Sequence, residues 1–470
     1  MAFLRVTNAS MHQKQAIIML LVLLLIAAGC SAGEHSMEAK ELDQENAGLK
    51  ISENSKNENS GDNAQGNIEP VTLQFMTYSG GLSDDEFNTF FVKPVNDRYP
   101  HITMERVEYN PGQGASVLNM IASGELPDIL LSSTTGILPL MDVGVVENLD
   151  PTIAKHNLDL SAFDPVTIDG IRTYTDEGNI IALPYSMNFS ALFYNKEIFE
   201  RFGVGYPEDY MTWDDAIALG RELTRLDEGV QYRGLHPMGT DLIGFGLSLP
   251  YADPETNTGL LETDGWRRVV QMVQEIYTMP GFAVDGVSMP PWQLFVTDQT
   301  IAMLADWGIG MISRLQDMEA DGTSFDWDMV TIPNFPEAVG YSRAVDFHSL
   351  IVTTTSEHKD EAFLAIAHVG ANPEVQMIIN RHGRLPVINK TDEHEANFGA
   401  ELASFEHKNL NAIFGVTPSP LHRLTLFDGD GRGLIKQAAR RAAWEGADIN
   451  TALREANEEL NRIIREKLGE

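Results

Sequence analysis

The stretch Asn179-Ile-Ile-Ala-Leu-Pro-Tyr-Ser-Met-Asn-Phe-Ser-Ala-Leu-Phe-Tyr-Asn-Lys196 holds two apolar segments on either side of a short polar break. Residues 179–185 and 190–196 carry the aliphatic and aromatic side chains that are typical of buried strands. A helix is predicted directly after them at residues 197–202, and Gly203 ends it. The middle of the chain is therefore predicted to run strand, strand, helix.

On the N-terminal side of this stretch, strands alternate with helices. Strands are predicted at residues 71–76, 102–107 and 126–131, with helices at 115–123 and 136–143. Ser83 and Glu86 form a capping box that opens a further helix. This alternation predicts an α/β lobe with a largely parallel sheet.

On the C-terminal side, Thr212 caps a helix, and further helices are predicted at residues 266–277, 361–368 and 433–467, the last with a break near Gly446. A strand is predicted at 300–304, and residues 344–353 are predicted to be extended. The residues after 70 are too many for one comfortable hydrophobic core, so we expect two lobes.

The amino terminus has the features of a lipoprotein signal peptide. An apolar run at residues 16–28 is shorter than the roughly 20 residues of a membrane span, and it ends in Ala27-Ala28-Gly29-Cys30. Cys30 is the only cysteine of the chain, so no internal disulfide can form. We predict a signal peptide at residues 1–29, lipidation of Cys30, and a place on the outer face of the cell membrane, held by the lipid anchor alone. The alternative is an uncleaved anchor helix.

Residues 30–70 are predicted to form a disordered acidic tether, because this stretch is polar and has no aromatic residue. The formal net charge of the chain is -35. Such a charge disfavours nucleic acid and anionic lipid as partners, and solubility alone can explain it.

The order of several short motifs resembles the family 1 extracellular solute-binding proteins of ABC importers. The motifs are Gly124-Glu-Leu-Pro-Asp-Ile-Leu130, Ala182-Leu-Pro-Tyr185 with Phe193-Tyr-Asn-Lys196 and Phe199, Thr212-Trp-Asp-Asp215, Thr300-Ile-Ala-Met-Leu-Ala-Asp-Trp307, and Glu357-His-Lys-Asp-Glu-Ala362 with Arg384-Leu-Pro386. One departure is Asp298-Gln299, where the family commonly has a glycine before the strand. The resemblance spans roughly residues 71 to 465.

The resemblance implies a periplasmic-binding-protein-like α/β fold of two lobes, joined by hinge crossings near residues 182–185, 345–350 and 390–402. The first lobe would comprise about 71–182 and 350–395, and the second about 186–345 and 400–470. A ligand, here a sugar or oligosaccharide, would bind in the cleft between the lobes. Closure of the hinge would present the ligand to an ABC permease in the membrane. We expect a monomer with no cofactor.

Sugar recognition needs flat aromatic faces for the C–H patches of the ring and polar side chains for its hydroxyls. Asp306 and Trp307 fit this need best, since an indole is a good stacking platform and the carboxylate beside it accepts hydrogen bonds. Further predicted ligand contacts follow strands or crossings: Tyr78, Ser132, Asn188 and His348. Their alternative roles are edge packing, helix capping, a turn and a core histidine, respectively.

Signals for catalysis or a metal are poor. Asp428-Gly-Asp-Gly-Arg-Gly433 begins like a calcium loop, but its twelfth position is Ala439, and we interpret it as a turn before a helix. We therefore predict no enzyme activity and no metal site. Two alternatives remain: a glycoside hydrolase with a pair of carboxylates, and a binding protein for a polyamine or another cation. The second would need carboxylates such as Asp306, Asp346 and Glu108 to converge.

Overall fold

The computed structural model describes residues 69–109, 116–284, 287–288 and 290–469. The predicted signal peptide, Cys30 and nearly all of the predicted tether lie outside these residues. The strands of the described part are β1 Val71–Thr77, β2 Ile102–Val107, β3 Ile129–Ser133, β4 Leu183–Met187, β5 Ser190–Asn195, β6 Arg225–Asp227, β7 Val230–His236, β8 Ala283–Val284, β9 Val287–Ser288, β10 Ile301–Trp307, β11 Trp327–Thr331, β12 Tyr341–Ala344, β13 Phe347–Val352 and β14 Thr417–Ser419.

The helices connect these strands and cover the sheets. They are α1 Asp84–Phe87, α2 Lys93–Arg98, α3 Val117–Ser123, α4 Ile137–Asp142, α5 Asp150–His156, α6 Pro165–Arg172, α7 Lys196–Phe202, α8 Trp213–Leu223, α9 Thr240–Phe245, α10 Asp264–Tyr277, α11 Gly308–Ala320, α12 Lys359–Ala371, α13 Pro373–Arg381, α14 Asp392–Asn397, α15 Asn411–Phe414, α16 Asp428–Trp444 and α17 Ile449–Leu468. Short π or 3-10 segments lie at Asn88–Val92, Thr134–Gly136, Leu160–Ala162, Gln293–Thr297, Pro336–Ala338 and Ala403–Phe405.

The first lobe is built on a five-stranded sheet in the order β2-β1-β3-β13-β4. β1 pairs in parallel with both β2 and β3, as the alternation of strands and helices predicts. β13 returns from the second lobe and pairs antiparallel with β3 and β4. All five residues of β4 and all six of β13 are buried, because helices pack on both faces of a sheet of this type.

The second lobe is built on a five-stranded sheet in the order β11-β5-β10-β7-β6. This sheet is mixed: β5 is antiparallel to β10 and β11, whereas β10 is parallel to β7. Every residue of β5 is buried, since hydrophobic clusters cover both faces of the sheet. α10, α16 and α17 contribute to the cluster on one face, and α11 contributes to the other.

Two of the chain's crossings between the lobes are adjacent extended segments. The chain leaves the first sheet at Met187 and enters the second at Ser190, and it returns from Ala344 to Phe347. The two segments are joined because the backbone N–H of Asn188 donates to the carbonyl oxygen of Asp346 over 2.8 Å. The predicted α/β fold with two lobes and an interlobe cleft is confirmed.

Several local predictions can be compared directly with the structure. The capping box of Ser83 with Glu86 is confirmed, and Thr212 caps α8 as predicted. The break near Gly446 separates α16 from α17. β4, however, begins at Leu183, four residues after the predicted start of that strand.

The prediction of a turn at Asp428–Gly433 is wrong, because these residues form the first turns of α16. Tertiary contacts offset the poor helix propensity of the glycines. A Cβ atom on Gly431 would lie 2.5 Å from the Cβ of Tyr251, so the missing side chain lets the helix approach that ring. Among the described residues, no single helix has the length and apolar character to cross a membrane, although α12 and α13, which meet at 63°, would pass that test together.

Candidate ligand-binding site

A cleft of about 1160 Å³ lies between the two sheets. The first lobe contributes the loop after β1, the start of α1 and Arg384. The second lobe contributes Trp307 and one side of α11, and the crossing segments form the floor with Asn188 and Asp346. Four of the six predicted ligand contacts line this cleft: Asn188, Asp306, Trp307 and His348.

Trp307 is the half-buried residue at which β10 ends and α11 begins. The next residue, Gly308, is required by packing, because a Cβ atom there would lie 2.2 Å from the ring of Phe189. The N–H of Gly308 also donates to the carbonyl oxygen of Phe189 over 2.7 Å, which ties the start of α11 to the first crossing. The indole is thereby held in the cleft wall beside the hinge.

A buried arginine, Arg343, packs against the ring of this tryptophan. The Cζ atom of Arg343 lies 5.3 Å from the centroid of the Trp307 ring, within the range of a cation–π contact. Arg343 is only 2% exposed, and burial lowers the pKa of its guanidinium to about 10. Asp306 is 6% exposed, and burial raises the pKa of its carboxyl despite the positive charge of Arg343. Asp306 therefore acts largely as the counter-charge of Arg343, with little surface left for a ligand.

Asn188 connects both crossing segments to α11. Its Oδ1 accepts hydrogen bonds from the backbone N–H groups of Phe189 and Ile309, each over 3.1 Å. Its Nδ2 donates to Oδ2 of Asp346 over 3.2 Å. The amide oxygen is thus occupied by the hinge, and Asn188 organises the floor of the cleft.

His348 lies in the cleft wall next to a network centred on Arg384. Nδ1 of His348 is 3.3 Å from Nη1 of Arg384, and burial lowers the pKa of the imidazole to about 4. Arg384 donates from Nε and Nη2 to the carboxylate of Glu86 over 2.8 and 2.9 Å, and from Nη1 to the hydroxyl of Tyr185 over 3.1 Å. His348 is therefore neutral near pH 7, and Arg384 is fully engaged within the first lobe.

The other two predicted contacts lie outside the lining of this cleft. Ser132 is fully buried, with its hydroxyl 3.1 Å from that of Ser79. Tyr78 packs against Tyr109 in a tilted arrangement, with 5.3 Å between ring centroids and 52° between ring planes. Ser133, the neighbour of Ser132, does line the cleft. A role of Tyr78 and Ser132 in ligand binding stays a prediction.

The cleft contains residues that the sequence reasoning did not select. Trp292 lies in the lining and is 41% exposed, with the guanidinium of Arg314 5.2 Å from its ring centroid. A tryptophan after two prolines carries no pattern that distinguishes a cleft residue from a surface one. Carboxylates outnumber guanidinium groups in the lining by six to two: Asp85, Glu86, Asp306, Asp317, Asp346 and Glu401 against Arg314 and Arg384.

Only part of the predicted carboxylate group meets in the cleft. Asp306 and Asp346 both line it, whereas Glu108 does not. Within the part of the chain that the structure describes, no group of three or more His, Cys, Asp or Glu side chains is arranged to hold a metal ion.

Comparison with known proteins places this architecture in a family. A model of the bacterial extracellular solute-binding protein family matches residues 91–400. The arabinooligosaccharide-binding protein of Bacillus subtilis is 23% identical over 256 residues, which cover 53% of this chain and 48% of that protein. The chain thus aligns with about half the length of this curated relative.

Solved structures share the fold. An ABC substrate-binding protein of Listeria monocytogenes, in complex with cycloalternan, superposes with a TM-score of 0.64 at 17% identity, covering 84% of this chain and 99% of that one. UgpB of Mycobacterium tuberculosis, in complex with glycerophosphocholine, superposes with a TM-score of 0.66 at 17% identity, covering 85% and 100%. At this identity the likeness shows the fold. Because the family model spans well over half of the sequence, the chain belongs to the bacterial extracellular solute-binding protein family.

Proposed function

We propose that this protein is the extracytoplasmic substrate-binding component of an ABC importer and that it binds a sugar or oligosaccharide. The observation that carries the proposal is the half-buried indole of Trp307 in the wall of the interlobe cleft. A fixed aromatic face beside carboxylates and amides supplies both the apolar and the polar contacts that a sugar ring needs. The arabinooligosaccharide-binding relative and the cycloalternan-binding neighbour support a saccharide as the ligand.

Delivery to a membrane permease follows from the same proposal. Asn188 joins the two crossings to the start of α11, which places it at the hinge. A ligand that contacts both lobes makes more contacts when the hinge is closed, and it would therefore favour the closed state. The permease would then distinguish the closed from the open form. No catalytic step is proposed, because the family members with which the chain compares are binding proteins.

The proposed location is the outer face of the cell membrane, with the chain attached as a monomer through an acyl group on Cys30. The support is the apolar run that ends in Ala27-Ala28-Gly29-Cys30. Cys30→Ser should move the protein from the membrane fraction to the soluble fraction and abolish incorporation of labelled palmitate. Unchanged palmitate labelling of this variant would contradict the lipid anchor. Elution of the protein at twice the monomer mass in size-exclusion chromatography would contradict the monomer.

A cation is the second candidate ligand, because six carboxylates and only two guanidinium groups line the cleft. The neighbour that binds glycerophosphocholine shows that the fold also holds a ligand with a quaternary ammonium group. A thermal-shift screen with saccharides, spermidine and glycerophosphocholine separates the two candidates, since a ligand of the folded state raises the melting temperature. A saturable shift with saccharides alone supports the first proposal, and a shift with spermidine or glycerophosphocholine alone replaces it.

A further inference from the structure

The cleft does not end at Trp307. Ser133, Trp307 and Asp346 also line a second space of about 210 Å³ on the side toward α9. This space in turn shares Thr135, Leu424 and Arg432 with a third one of about 540 Å³. The shared residues make the three spaces neighbours, and we name the row that they form the groove.

The groove follows the boundary between the lobes. At one end its walls are α1 and α11, and at the other end they are α4 of the first lobe and the start of α16 of the second. Trp307 stands between the two ends. We name the part lined by Thr135, Leu138, Leu424, Phe427 and Arg432 the distal compartment.

The size of the groove argues for an elongated ligand. Sites for compact small molecules usually measure about 300–1,000 Å³, and the part beside Trp307 exceeds that range before the distal compartment is added. A monosaccharide stacked on Trp307 would leave most of this space filled with water. A chain of sugar residues would instead use both ends.

Arg432 lines the distal compartment with a side chain that is 29% exposed. Its Nε is buried and lies 3.5 Å from Oδ2 of Asp241, so this atom faces the carboxylate of Asp241. Asp241 has a second cation, since Nζ of Lys436 lies 3.0 Å from the same oxygen. The guanidinium of Arg432 is held over the ring of Phe245 at 5.4 Å. It is thus held in place, while the exposed part of the side chain lines the distal compartment.

The unusual sequence Asp428-Gly-Asp-Gly-Arg-Gly433 keeps this compartment open. Asp428 also lines the compartment, but its carboxylate is engaged by the backbone N–H of Thr425 over 3.0 Å and by Nε2 of His422 over 2.7 Å. Gly429 also lines the compartment and faces open space, with no atom within 4 Å of an added Cβ. Beside them, Leu424 and Phe427 supply apolar surface of the kind that covers sugar C–H groups.

We infer that the ligand is a linear oligosaccharide that passes over Trp307, and that Arg432 binds hydroxyl groups of the sugar residues in the distal compartment. This inference rests on the proposed saccharide function and specifies the length of its ligand. It makes Arg432 a residue that determines specificity for long ligands over short ones.

The test is calorimetric titration of the full chain, purified in detergent, with two series of saccharides: α-1,5-linked arabino-oligosaccharides and α-1,4-linked malto-oligosaccharides, each from monosaccharide to hexasaccharide. In one series the affinity should rise with chain length. Arg432→Met should weaken binding of the longest members about tenfold, because it removes a charged donor, and should leave binding of the disaccharide unchanged. Arg440→Met, on an exposed part of the same helix, is the matched control and should change neither.

Two results would overturn the inference while keeping the saccharide function. One is an affinity that is the same for the disaccharide and the hexasaccharide. The other is an Arg432→Met variant that weakens short and long ligands equally, which is the sign of a general structural effect. Absence of binding by every member of both series overturns the proposed function itself, and this inference with it.

Discussion

Arg343 lies beneath Trp307, with its Cζ 5.3 Å from the indole centroid, although the two residues are on different strands of the second lobe. Nη2 of Arg343 donates to the carbonyl oxygen of Ala305 over 3.1 Å, which fixes the guanidinium under the end of β10. Its Nε and Nη1 have no hydrogen-bond partner among the described residues. The charge is therefore balanced mainly by the field of Asp306 and by the indole face. This arrangement holds the half-buried indole of Trp307 in the cleft wall.

Trp307→Ala should weaken saccharide binding by about 2 kcal/mol, or roughly thirtyfold, because a buried aromatic anchor often carries that much of a binding energy. Trp307→Phe keeps an aromatic face and should recover part of the loss. Titration calorimetry measures both variants, and the melting temperature without ligand checks their folding. An alanine variant that binds as the wild type does would remove Trp307 from the site.

Arg384→Met should lower the free energy of unfolding by about 3–5 kcal/mol, since it leaves the carboxylate of Glu86 without its buried partner. Although burial opposes it, the guanidinium of Arg384 holds the pKa of Glu86 below its usual value. The double variant Glu86→Gln with Arg384→Met should lose less than Arg384→Met alone. Urea denaturation of both single variants and the double variant gives the coupling energy. A coupling energy near zero would show that the pair does not act as a unit.

Asn188→Asp should destabilise the hinge by about 1–3 kcal/mol near neutral pH, because it places a second carboxylate next to that of Asp346. The repulsion raises the pKa of the new pair in the folded state above its value in the unfolded chain. The folded state then binds more protons than the unfolded one, so the deficit relative to wild type should shrink as the pH falls toward about 4. Urea denaturation across this range measures it. A deficit that is independent of pH would contradict the arrangement, and Asn188→Ala provides the uncharged control.

His236 makes the fold sensitive to acid. Burial, and to a lesser degree the charge of Arg233, lower the pKa of its imidazole to about 3. Between about pH 6.5 and pH 3 the unfolded chain therefore binds a proton that the folded state does not, and stability is lost as the pH falls.

Between these pH values, the imidazole lowers the free energy of unfolding by up to about 1.4 kcal/mol for each pH unit of acidification, and His236→Asn should remove this contribution. The asparagine oxygen can still accept the hydrogen bond that Nδ1 of His236 takes from the N–H of Met238. His407→Asn, at an exposed position, is the matched control and should leave the slope of stability against pH unchanged. Equal slopes for wild type and His236→Asn would show that the imidazole is not neutral in the folded state.

Features that depend on short stretches of sequence could be predicted. The capping box at Ser83, the cap at Thr212 and the alternation of strands and helices all follow from neighbouring residues. The position of Trp307 at the end of a strand is implied by the family resemblance. The first crossing is expected near residues 182–185 from the resemblance, whereas those residues lie in or next to β4 and the chain passes to β5 at residues 188–189. Such signals locate elements and their ends.

Features that depend on distant residues could not be predicted. Glu86 and Arg384 are 298 positions apart, and no local pattern indicates that they form a buried ion pair. Ser132 is predicted to follow a strand as a ligand contact would, yet it lies inside β3 and is buried, with the hydroxyl of Ser79 from the loop after β1 3.1 Å away. The helical form of Asp428–Gly433 likewise depends on Tyr251, far away in the sequence.

The most direct test of the central claim is titration of the full chain with oligosaccharides while small-angle X-ray scattering follows its radius of gyration. The account predicts saturable binding of one saccharide class, a decrease in the radius of gyration as the lobes close, and unchanged saccharide after prolonged incubation. Binding of spermidine or glycerophosphocholine with no response to any saccharide would contradict the sugar claim. Saccharide that disappears during incubation would contradict a binding role without catalysis.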